Sequence, residues 1–285
     1  MLERRVSLIG AGAMGEALVR SLVTRRLVEP QALMAADVRR SRLEEVARRY
    51  GVRAGASNEE AARFGEVLIL AVKPQQIEGV LQEIRPHLTP HHLILSIAAG
   101  VRIRFLESHL GDGVPVVRAM PNVACLVGEA ASGFSLGRWA GEKEAELARQ
   151  ILGAVGQVFL LPEPLLDVVT GLSGSGPAFL ALVIEALAEG GVACGLPREV
   201  AVKLAAQTCV GAGRLVLEGG LHPALLREMV TSPGGTSAAG IQVLEEGAVR
   251  AALAGAVRAA TRRSQELSAG GREEEPANGE AKEGE

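Results

Sequence analysis

Residues 5–15 read RVSLIGAGAMG, an apolar run that passes directly into glycines with the spacing G-x-G-x-x-G. In a turn of this kind Gly10 permits the tight bend, Gly12 lets the backbone approach a pyrophosphate, and Gly15 allows the following helix to pack closely. The alternative interpretation is a glycine-rich turn that only links a strand to a helix. Because an amphipathic segment follows at once, the stretch predicts the first unit of a dinucleotide-binding domain.

The same alternation of apolar runs and amphipathic segments continues over the first 160 residues, as in βαβ units of a helix-covered parallel sheet. We predict an α/β, Rossmann-like N-terminal domain with a mostly parallel sheet. Its strands are expected at residues 5–9, 33–36, 67–71, 93–97, 114–118, 133–135 and 158–160. Its helices are expected at residues 13–25, 41–50, 58–64, 75–84 and 142–152.

After the turn-rich sequence Leu161-Pro-Glu-Pro164 the strand signals end and helical stretches follow. The predicted helices cover residues 177–194, 197–218, 223–231, 236–246 and 248–268. The first two are apolar around much of their circumference, so we expect an all-α dimerisation domain that completes its core against a second subunit. The predicted domain limits are 1–162 and 163–269, followed by an acidic, disordered tail at 270–285.

The net charge and the composition of the chain limit the kinds of partner that we expect it to bind. A formal net charge of -3 offers no electrostatic footprint for nucleic acid or an anionic membrane. The N-terminal apolar run is too short for a secretory signal, and the apolar stretch 177–188 is shorter than the ~20 residues of a membrane span. No histidine or cysteine spacing fits a metal site. We expect a cytoplasmic protein with a small-molecule ligand and without metal, membrane or nucleic-acid partners.

Residues at the carboxyl ends of the predicted strands extend the expected dinucleotide site. Asp37 ends the second strand, where an acidic side chain takes the adenosine ribose hydroxyls and favours NADH. Arg39, Arg40 and Arg42 follow, and they either hold the 2′-phosphate of NADPH or form a solvated helix face. Cofactor choice therefore stays open. Lys73, after the strand at 67–71, is either a cofactor contact or an exposed loop lysine.

Residues 231–237, Thr-Ser-Pro-Gly-Gly-Thr-Ser, open a predicted helix and predict a carboxylate cradle. Gly234 and Gly235 remove blocking side chains, while Ser232, Thr236 and Ser237 supply donors. The alternative interpretation is a helix N-cap with a glycine hinge. Residues 170–177, TGLSGSGP, open the first long helix and suit close packing or a ligand equally well.

These and further pieces together resemble the pyrroline-5-carboxylate reductase family from about residue 5 to residue 267. Besides GAGAMG, the pieces are AVKP at 71–74, SIAAGV at 96–101, RAMPN at 118–122, TGLSGSGPAF at 170–179, EALAEGGVACGLP at 185–197 and LLREMVTSPGGTSAAGIQVLE at 225–245. The resemblance implies NADPH- or NADH-dependent reduction of the C=N bond of L-1-pyrroline-5-carboxylate to L-proline, the last step of proline biosynthesis. It also implies a homodimer formed by the C-terminal helices, with dimers gathered into a decamer or another ring.

The resemblance also implies site residues, which we state as expectations. The cofactor residues are Ile9, Gly10, Ala11, Gly12, Ala13, Met14, Gly15, Asp37, Arg39, Asn58, Ala71, Val72, Lys73, Pro74, Ala98 and Ala99. The substrate residues are Ser232, Gly234, Gly235, Thr236, Ser237 and, near the domain joint, Glu163. The substrate carboxylate is expected in the loop 232–237, at the junction with the partner subunit.

The catalytic expectation is that Ser237, or Thr236 as second choice, hydrogen-bonds the ring nitrogen of the substrate. The chain departs from the family at two places: Ser237 replaces a threonine, and Val123-Ala124 replaces the usual Thr-Pro. Rival interpretations are a related imine or hydroxy-acid reductase and a non-catalytic sensor of dinucleotide redox state.

Overall fold

The computed structural model describes residues 2–269 and divides them into two compact units. The first unit holds residues 2–174 with 260–269, and the second holds Ser175–Ala259. The predicted acidic tail at 270–285 lies outside the described residues. The predicted domain limits at 162 and 163 stay a prediction.

Within residues 2–269, eight strands of the first unit form one sheet in the order β3-β2-β1-β4-β5-β6-β7-β8. Every neighbouring pair is parallel except β6 and β7, which confirms the predicted mostly parallel sheet. The strands are β1 Val6–Ile9, β2 Leu33–Ala36, β3 Arg53–Ala54, β4 Val67–Leu70, β5 Leu93–Ser96, β6 Val116–Met120, β7 Ala130–Leu136 and β8 Gly156–Leu160.

Chain connections explain both strand directions. The central strands β1, β2, β4 and β5 are buried at every residue, because helices cover both faces of a parallel sheet. Only a short 3-10 turn, Val123–Val127, connects β6 with β7. Parallel pairing needs a crossover of a dozen or more residues, so β7 returns antiparallel.

Helices of the first unit cover the two faces of the sheet. One core layer contains Leu18, Leu22 and Ile151, and the other contains Ile77, Leu81 and Leu106. The helices are α1 Ala13–Thr24, α2 Arg40–Tyr50, α3 Asn58–Phe64, α4 Ile77–Ile84, α5 Ile103–Leu110, α6 Glu142–Gly153 and α7 Leu166–Val169. The predicted Rossmann-like fold class is confirmed.

The described residues of the second unit contain helices and no strand. The helices are α8 Gly176–Ala193, α9 Arg198–Leu217, α10 Pro223–Met229, α11 Thr236–Glu246 and the first part of α12 Val249–Ala269. Helices α8 and α9 pack through the small side chains of Ala188, Ala201 and Ala205. Larger apolar side chains remain exposed, among them Leu180, Leu182, Leu187, Leu204, Val210 and Leu217.

The helix lengths correct one expectation about membranes. The helical residues Glu163–Ala193 and Arg198–Leu217 are each long and apolar enough to cross a bilayer by length and composition, with mean hydropathies of 1.5 and 1.4. The apolar stretch was expected to end at residue 188, which is wrong, because α8 continues through Gly190 and Gly191 to Ala193. One or two such helices are weak evidence for a membrane span, since packed helices of other proteins have the same composition.

Three elements were not expected from the sequence: β3, α5 and α7. Strand β3 is only two exposed residues at the sheet edge. Helix α5 has no local side-chain cap, because its Ile103 N–H donates to Oε1 of Glu163, 60 residues further along the chain, over 2.7 Å. A capping partner at that separation leaves no local sequence signal.

A buried carboxylate joins α7 to the end of α12 inside the first unit. Asp167 is 4% exposed and accepts hydrogen bonds from Ser264 Oγ at 2.7 Å and Ser268 Oγ at 3.2 Å. Both serines are also buried. Since buried polar groups depend on their partners, this cluster holds the C-terminal turns of α12 against the first unit.

We predict that Asp167→Asn lowers the free energy of unfolding by about 1–2 kcal/mol, because the amide replaces an acceptor of charge-assisted bonds by a weaker, partly donating group. Urea unfolding at fixed protein concentration measures the change. Asp112→Asn, at an exposed position of the same unit, is the matched control and is expected to have no effect. Equal unfolding midpoints for the two variants would contradict the prediction.

Candidate active site

In the turn between β1 and α1, two of the three glycines are required for steric reasons, and the third leaves open space. Gly10 has φ +102°, and a Cβ there would lie 2.6 Å from the carbonyl oxygen of Ala71. A Cβ at Gly15 would clash with the carbonyl oxygen of Gly10, whereas a Cβ at Gly12 would meet no atom within 4 Å. Gly10 and Gly15 therefore serve the fold, and Gly12 leaves space at the N-terminus of α1. This arrangement fits a dinucleotide pyrophosphate.

Asp37 is locked to the same turn. Its side chain is 7% exposed, and Oδ2 accepts a hydrogen bond from the backbone N–H of Ala11 at 2.8 Å. Oδ1 accepts from the backbone N–H of Arg39 at 2.8 Å. The carboxylate is thereby fixed at the end of β2, the position at which ribose hydroxyls are held in dinucleotide-binding folds.

The arginines after Asp37 have different surroundings. Arg42 donates to the carbonyl oxygen of Ala11 at 3.0 Å and to Glu45 at 2.8 Å, and it also bonds to Glu16. Arg40 is exposed and pairs with Glu44 four residues later. Arg39 is 63% exposed and contacts only Asp37 among the described charged side chains. The guanidinium groups of Arg39 and Arg40 are therefore both more accessible to a phosphate than that of Arg42, which is 22% exposed.

Glu16 is the anchor that immobilises Arg42. Burial raises the pKa of Glu16, but hydrogen bonds from Tyr50, Arg49 and Arg42 outweigh burial and hold the pKa below its usual value. The pKa of Tyr50 is raised by burial and by its hydrogen bond to Glu16. Glu16 thus stays ionised at neutral pH and keeps Arg42 against the glycine turn.

All predicted cofactor residues belong to the first unit, and most of them meet at the carboxyl edge of its sheet. The backbone N–H of Ala71 donates to Ile9 at 2.8 Å, which joins the ends of β1 and β4. Lys73 is exposed and makes no ion pair within residues 2–269. Asn58, at the start of α3, donates from Nδ2 to Glu83 at 2.7 Å.

The predicted substrate loop opens α11 without a side-chain cap. Its N-cap is Gly235, and Gly234 has φ +69°. Within the described chain, the hydroxyls of Ser232, Thr236 and Ser237 make no hydrogen bond. These three hydroxyls are therefore free to bind a ligand, and both interpretations of the loop, as a carboxylate cradle and as an N-cap with a glycine hinge, stay predictions.

Glu163 has structural partners within the first unit. Its Oε1 accepts hydrogen bonds from the backbone N–H of Ile103 and, at 2.9 Å, from Nη1 of Arg118. Arg118 is 3% exposed in β6, and the sequence analysis did not single it out. An arginine inside the otherwise apolar strand VVRAM was the available signal, since a buried guanidinium requires a carboxylate partner.

Histidine and cysteine side chains show no metal-binding arrangement. Among residues 2–269, no group of three or more histidine, cysteine, aspartate or glutamate side chains is placed to hold a metal ion. His222 instead caps α10, since its Nδ1 accepts a hydrogen bond from the backbone N–H of Ala224 at 3.2 Å.

Comparison with known proteins identifies the family of the chain. A family model described as pyrroline-5-carboxylate reductase dimerisation matches residues 163–267, and one described as NADP oxidoreductase, coenzyme F420-dependent, matches residues 5–100. A pyrroline-5-carboxylate reductase of Methanosarcina acetivorans is 45% identical over 267 residues, which cover 94% of this chain and 99% of that protein. The chain belongs to the pyrroline-5-carboxylate reductase family.

Solved structures of the pyrroline-5-carboxylate reductase family have the same architecture. The structure from Coxiella burnetii is 35% identical, has a TM-score of 0.89, and covers 93% of this chain and 99% of that chain. The Plasmodium falciparum structure, with NADP bound, is 29% identical, has a TM-score of 0.82, and covers 94% and 99%. The family and fold class expected from the sequence are thus confirmed.

We predict that Gly12→Val and Gly15→Val separate ligand binding from folding. Gly12→Val is expected to keep the wild-type unfolding midpoint and to weaken NADPH binding at least about tenfold, because its side chain fills only the open space at the turn. Gly15→Val is expected to unfold or to lose at least about 2 kcal/mol of stability, because its Cβ meets the Gly10 carbonyl. Calorimetric titration and urea unfolding measure the two effects. Equal effects of the two variants on stability would contradict this division.

Proposed function

We propose that this protein reduces L-1-pyrroline-5-carboxylate to L-proline with NADPH or NADH. The observation that carries the proposal is the loop 232–237, which presents uncapped backbone N–H groups and three free hydroxyls at the start of α11. Membership of the pyrroline-5-carboxylate reductase family supports this substrate.

The first unit binds the dinucleotide along the carboxyl edge of its sheet. The turn at Gly12 takes the pyrophosphate, and Asp37 takes the adenosine ribose. Lys73 supplies an unpaired positive charge beside the strand ends, and Ala98 and Ala99 offer small side chains there. When bound, the reduced nicotinamide supplies a hydride to the imine carbon. NADP in the Plasmodium falciparum structure supports this choice of cofactor.

The loop of the second unit binds and orients the substrate. The backbone N–H of Gly235 already donates to the carbonyl oxygen of Ser232 at 3.0 Å, so the backbone N–H of Thr236, with the Ser232 hydroxyl, takes the carboxylate. The Ser237 hydroxyl, with Thr236 as second choice, hydrogen-bonds the ring nitrogen. An alcohol is a poor acid at neutral pH, so the proton arrives with the iminium or from water, and orientation dominates catalysis. Glu163 contributes near the substrate through the carboxylate oxygen that its structural bonds leave free.

A second copy of the chain covers the apolar faces of α8 and α9. Leu182 is 67% exposed and Leu217 is 70% exposed in the single chain. Exposing this many large apolar side chains to water is energetically unfavourable. The dimerisation model matched over residues 163–267 supports a homodimer rather than lipid as the cover. We extend this to a cytoplasmic homodimer, with dimers arranged in a decamer or another ring and residues 163–269 as the dimerisation and substrate domain.

We predict that the wild-type protein oxidises NADPH or NADH only when pyrroline-5-carboxylate is present, and that Ser237→Ala lowers kcat/KM about tenfold or more through the lost hydrogen bond. Ser237→Thr is the matched control, because it keeps the hydroxyl and is expected to retain activity. Absorbance of the reduced nicotinamide follows the reaction. No turnover by the wild type would overturn the proposed function, and an unchanged Ser237→Ala would overturn only this role.

We predict that Asp37→Ser raises the ratio of kcat/KM with NADPH to kcat/KM with NADH by about tenfold, because it removes a fixed negative charge from the ribose position and leaves Arg39 free. Initial rates with each cofactor give the ratio. Glu29→Gln removes an exposed charge elsewhere in the first unit and is expected to leave the ratio unchanged. A ratio that does not respond to Asp37→Ser contradicts its place at the ribose.

A further inference from the structure

Asn122, which follows β6, carries a buried oxygen without a protein partner. The residue is 8% exposed, and its Nδ2 donates to the carbonyl oxygen of Ser173 at 3.0 Å. Its Oδ1 is buried, and among residues 2–269 no donor lies in hydrogen-bonding position to it. Buried amide oxygens are ordinarily paired, so this atom calls for a donor from outside the chain.

The position of Asn122 at the start of a turn does not explain the oxygen. Asparagine at an N-cap usually accepts a backbone N–H through its side chain. Asn122 is the N-cap of the turn Val123–Val127 but makes no side-chain cap. The N–H of Cys125 donates instead to the main-chain oxygen of Asn122 at 3.1 Å. The side chain is therefore not needed to hold the turn.

Packing fixes the direction in which Oδ1 points. A carbonyl oxygen only accepts, so the amide nitrogen of Asn122 must be the atom that faces Ser173. Ser173 lies in the π-helical residues Thr170–Gly174, and a Cβ on Gly174 would lie 3.2 Å from Met120 Cε. The absence of a side chain at Gly174 thus allows the segment Thr170–Gly174 to approach the end of β6 and to orient the amide.

Sheet topology places Asn122 at the nicotinamide end of the expected dinucleotide. Strands β1, β4, β5 and β6 are parallel, so their carboxyl ends share one edge. Asp37 after β2 marks the adenosine end and the β1 turn marks the pyrophosphate, which leaves the β4 to β6 side for the pyridine ring. Cys125 Sγ lies 3.3 Å from Sδ of Met14, so the segment after Asn122 contacts the glycine turn itself.

We propose that Oδ1 of Asn122 accepts a hydrogen bond from the carboxamide N–H of the nicotinamide and thereby fixes the rotation of the ring. The inference rests on the proposed function as an NAD(P)H-dependent reductase. It assigns the TGLSGSGP segment a task, which is to hold the acceptor in place through the Ser173 carbonyl.

The test compares a natural cofactor with an analogue that lacks the donor. In the 3-acetylpyridine analogue a methyl group replaces the amino group of the carboxamide. Calorimetry gives the Kd of the reduced natural dinucleotide and of the reduced analogue for the wild type, Asn122→Ala and Ser132→Ala. Ser132 is the matched control, because its hydroxyl oxygen is also buried without a partner. It lies in β7, and its side chain is on the same face of the sheet as that of Phe134, opposite to the face of Gly133.

The wild type is expected to bind the analogue about tenfold more weakly than the natural cofactor. Asn122→Ala is expected to bind the two within about twofold of each other, whereas Ser132→Ala keeps the tenfold difference. Asn122→Ser replaces Asn122→Ala if the latter does not fold.

Equal binding of the two dinucleotides by the wild type, or a tenfold difference that persists in Asn122→Ala, overturns the assignment. Turnover of pyrroline-5-carboxylate by the same wild-type sample distinguishes failure of the Asn122 assignment from failure of the proposed function. Turnover with equal binding refutes only the role of Asn122. Absence of both turnover and binding refutes the proposed function as well.

Discussion

The steric constraint at Gly10 and Gly15 is the condition on which the arrangement of the first unit depends. Gly10 turns the chain with a positive φ directly against the carbonyl of Ala71, and Gly15 packs on the carbonyl of Gly10. Helix α1 can therefore begin only at the sheet edge, with its free N–H groups directed outward. Because a helix N-terminus carries a partial positive charge, the fold and the expected phosphate site have the same steric cause. Asp37 further stabilises this turn, because its side chain accepts a hydrogen bond from the backbone N–H of Ala11.

Buried strands and amphipathic helices were predictable because their signals are local. A strand such as β4 is apolar at every residue, and the helices α3 and α11 were predicted at their observed bounds. What the sequence did not reveal depends on distant partners. Helix α5 receives its cap from Glu163, and α7 is held by Asp167 with serines from α12. No window of neighbouring residues contains such information.

The same distinction applies to the candidate site. Residue types and spacing identified Gly12, Asp37 and the loop 232–237, but not which arginine is accessible. Arg42 is engaged by Glu16, which stands 26 residues earlier in the chain and is itself held by Tyr50. The oxygen of Asn122 was equally invisible, because only the folded chain shows that the turn after β6 leaves it unpaired. Motifs thus predicted the candidate site, whereas tertiary contacts determine which of its groups remain available.

The second unit contains both the proposed substrate loop and the apolar faces that a second copy of the chain would cover. Small residues at the α8–α9 contact leave the larger apolar side chains on the outside, so the single chain has an incomplete core. The loop 232–237 is flanked by exposed apolar residues on both sides, Met229 at the end of α10 and Val243 in α11. Covering these residues with a second copy would restrain both helices that carry the loop. Since the proposed catalysis by orientation requires a rigid loop, burial of the surface that is costly to expose in the monomer would also prepare the proposed substrate site.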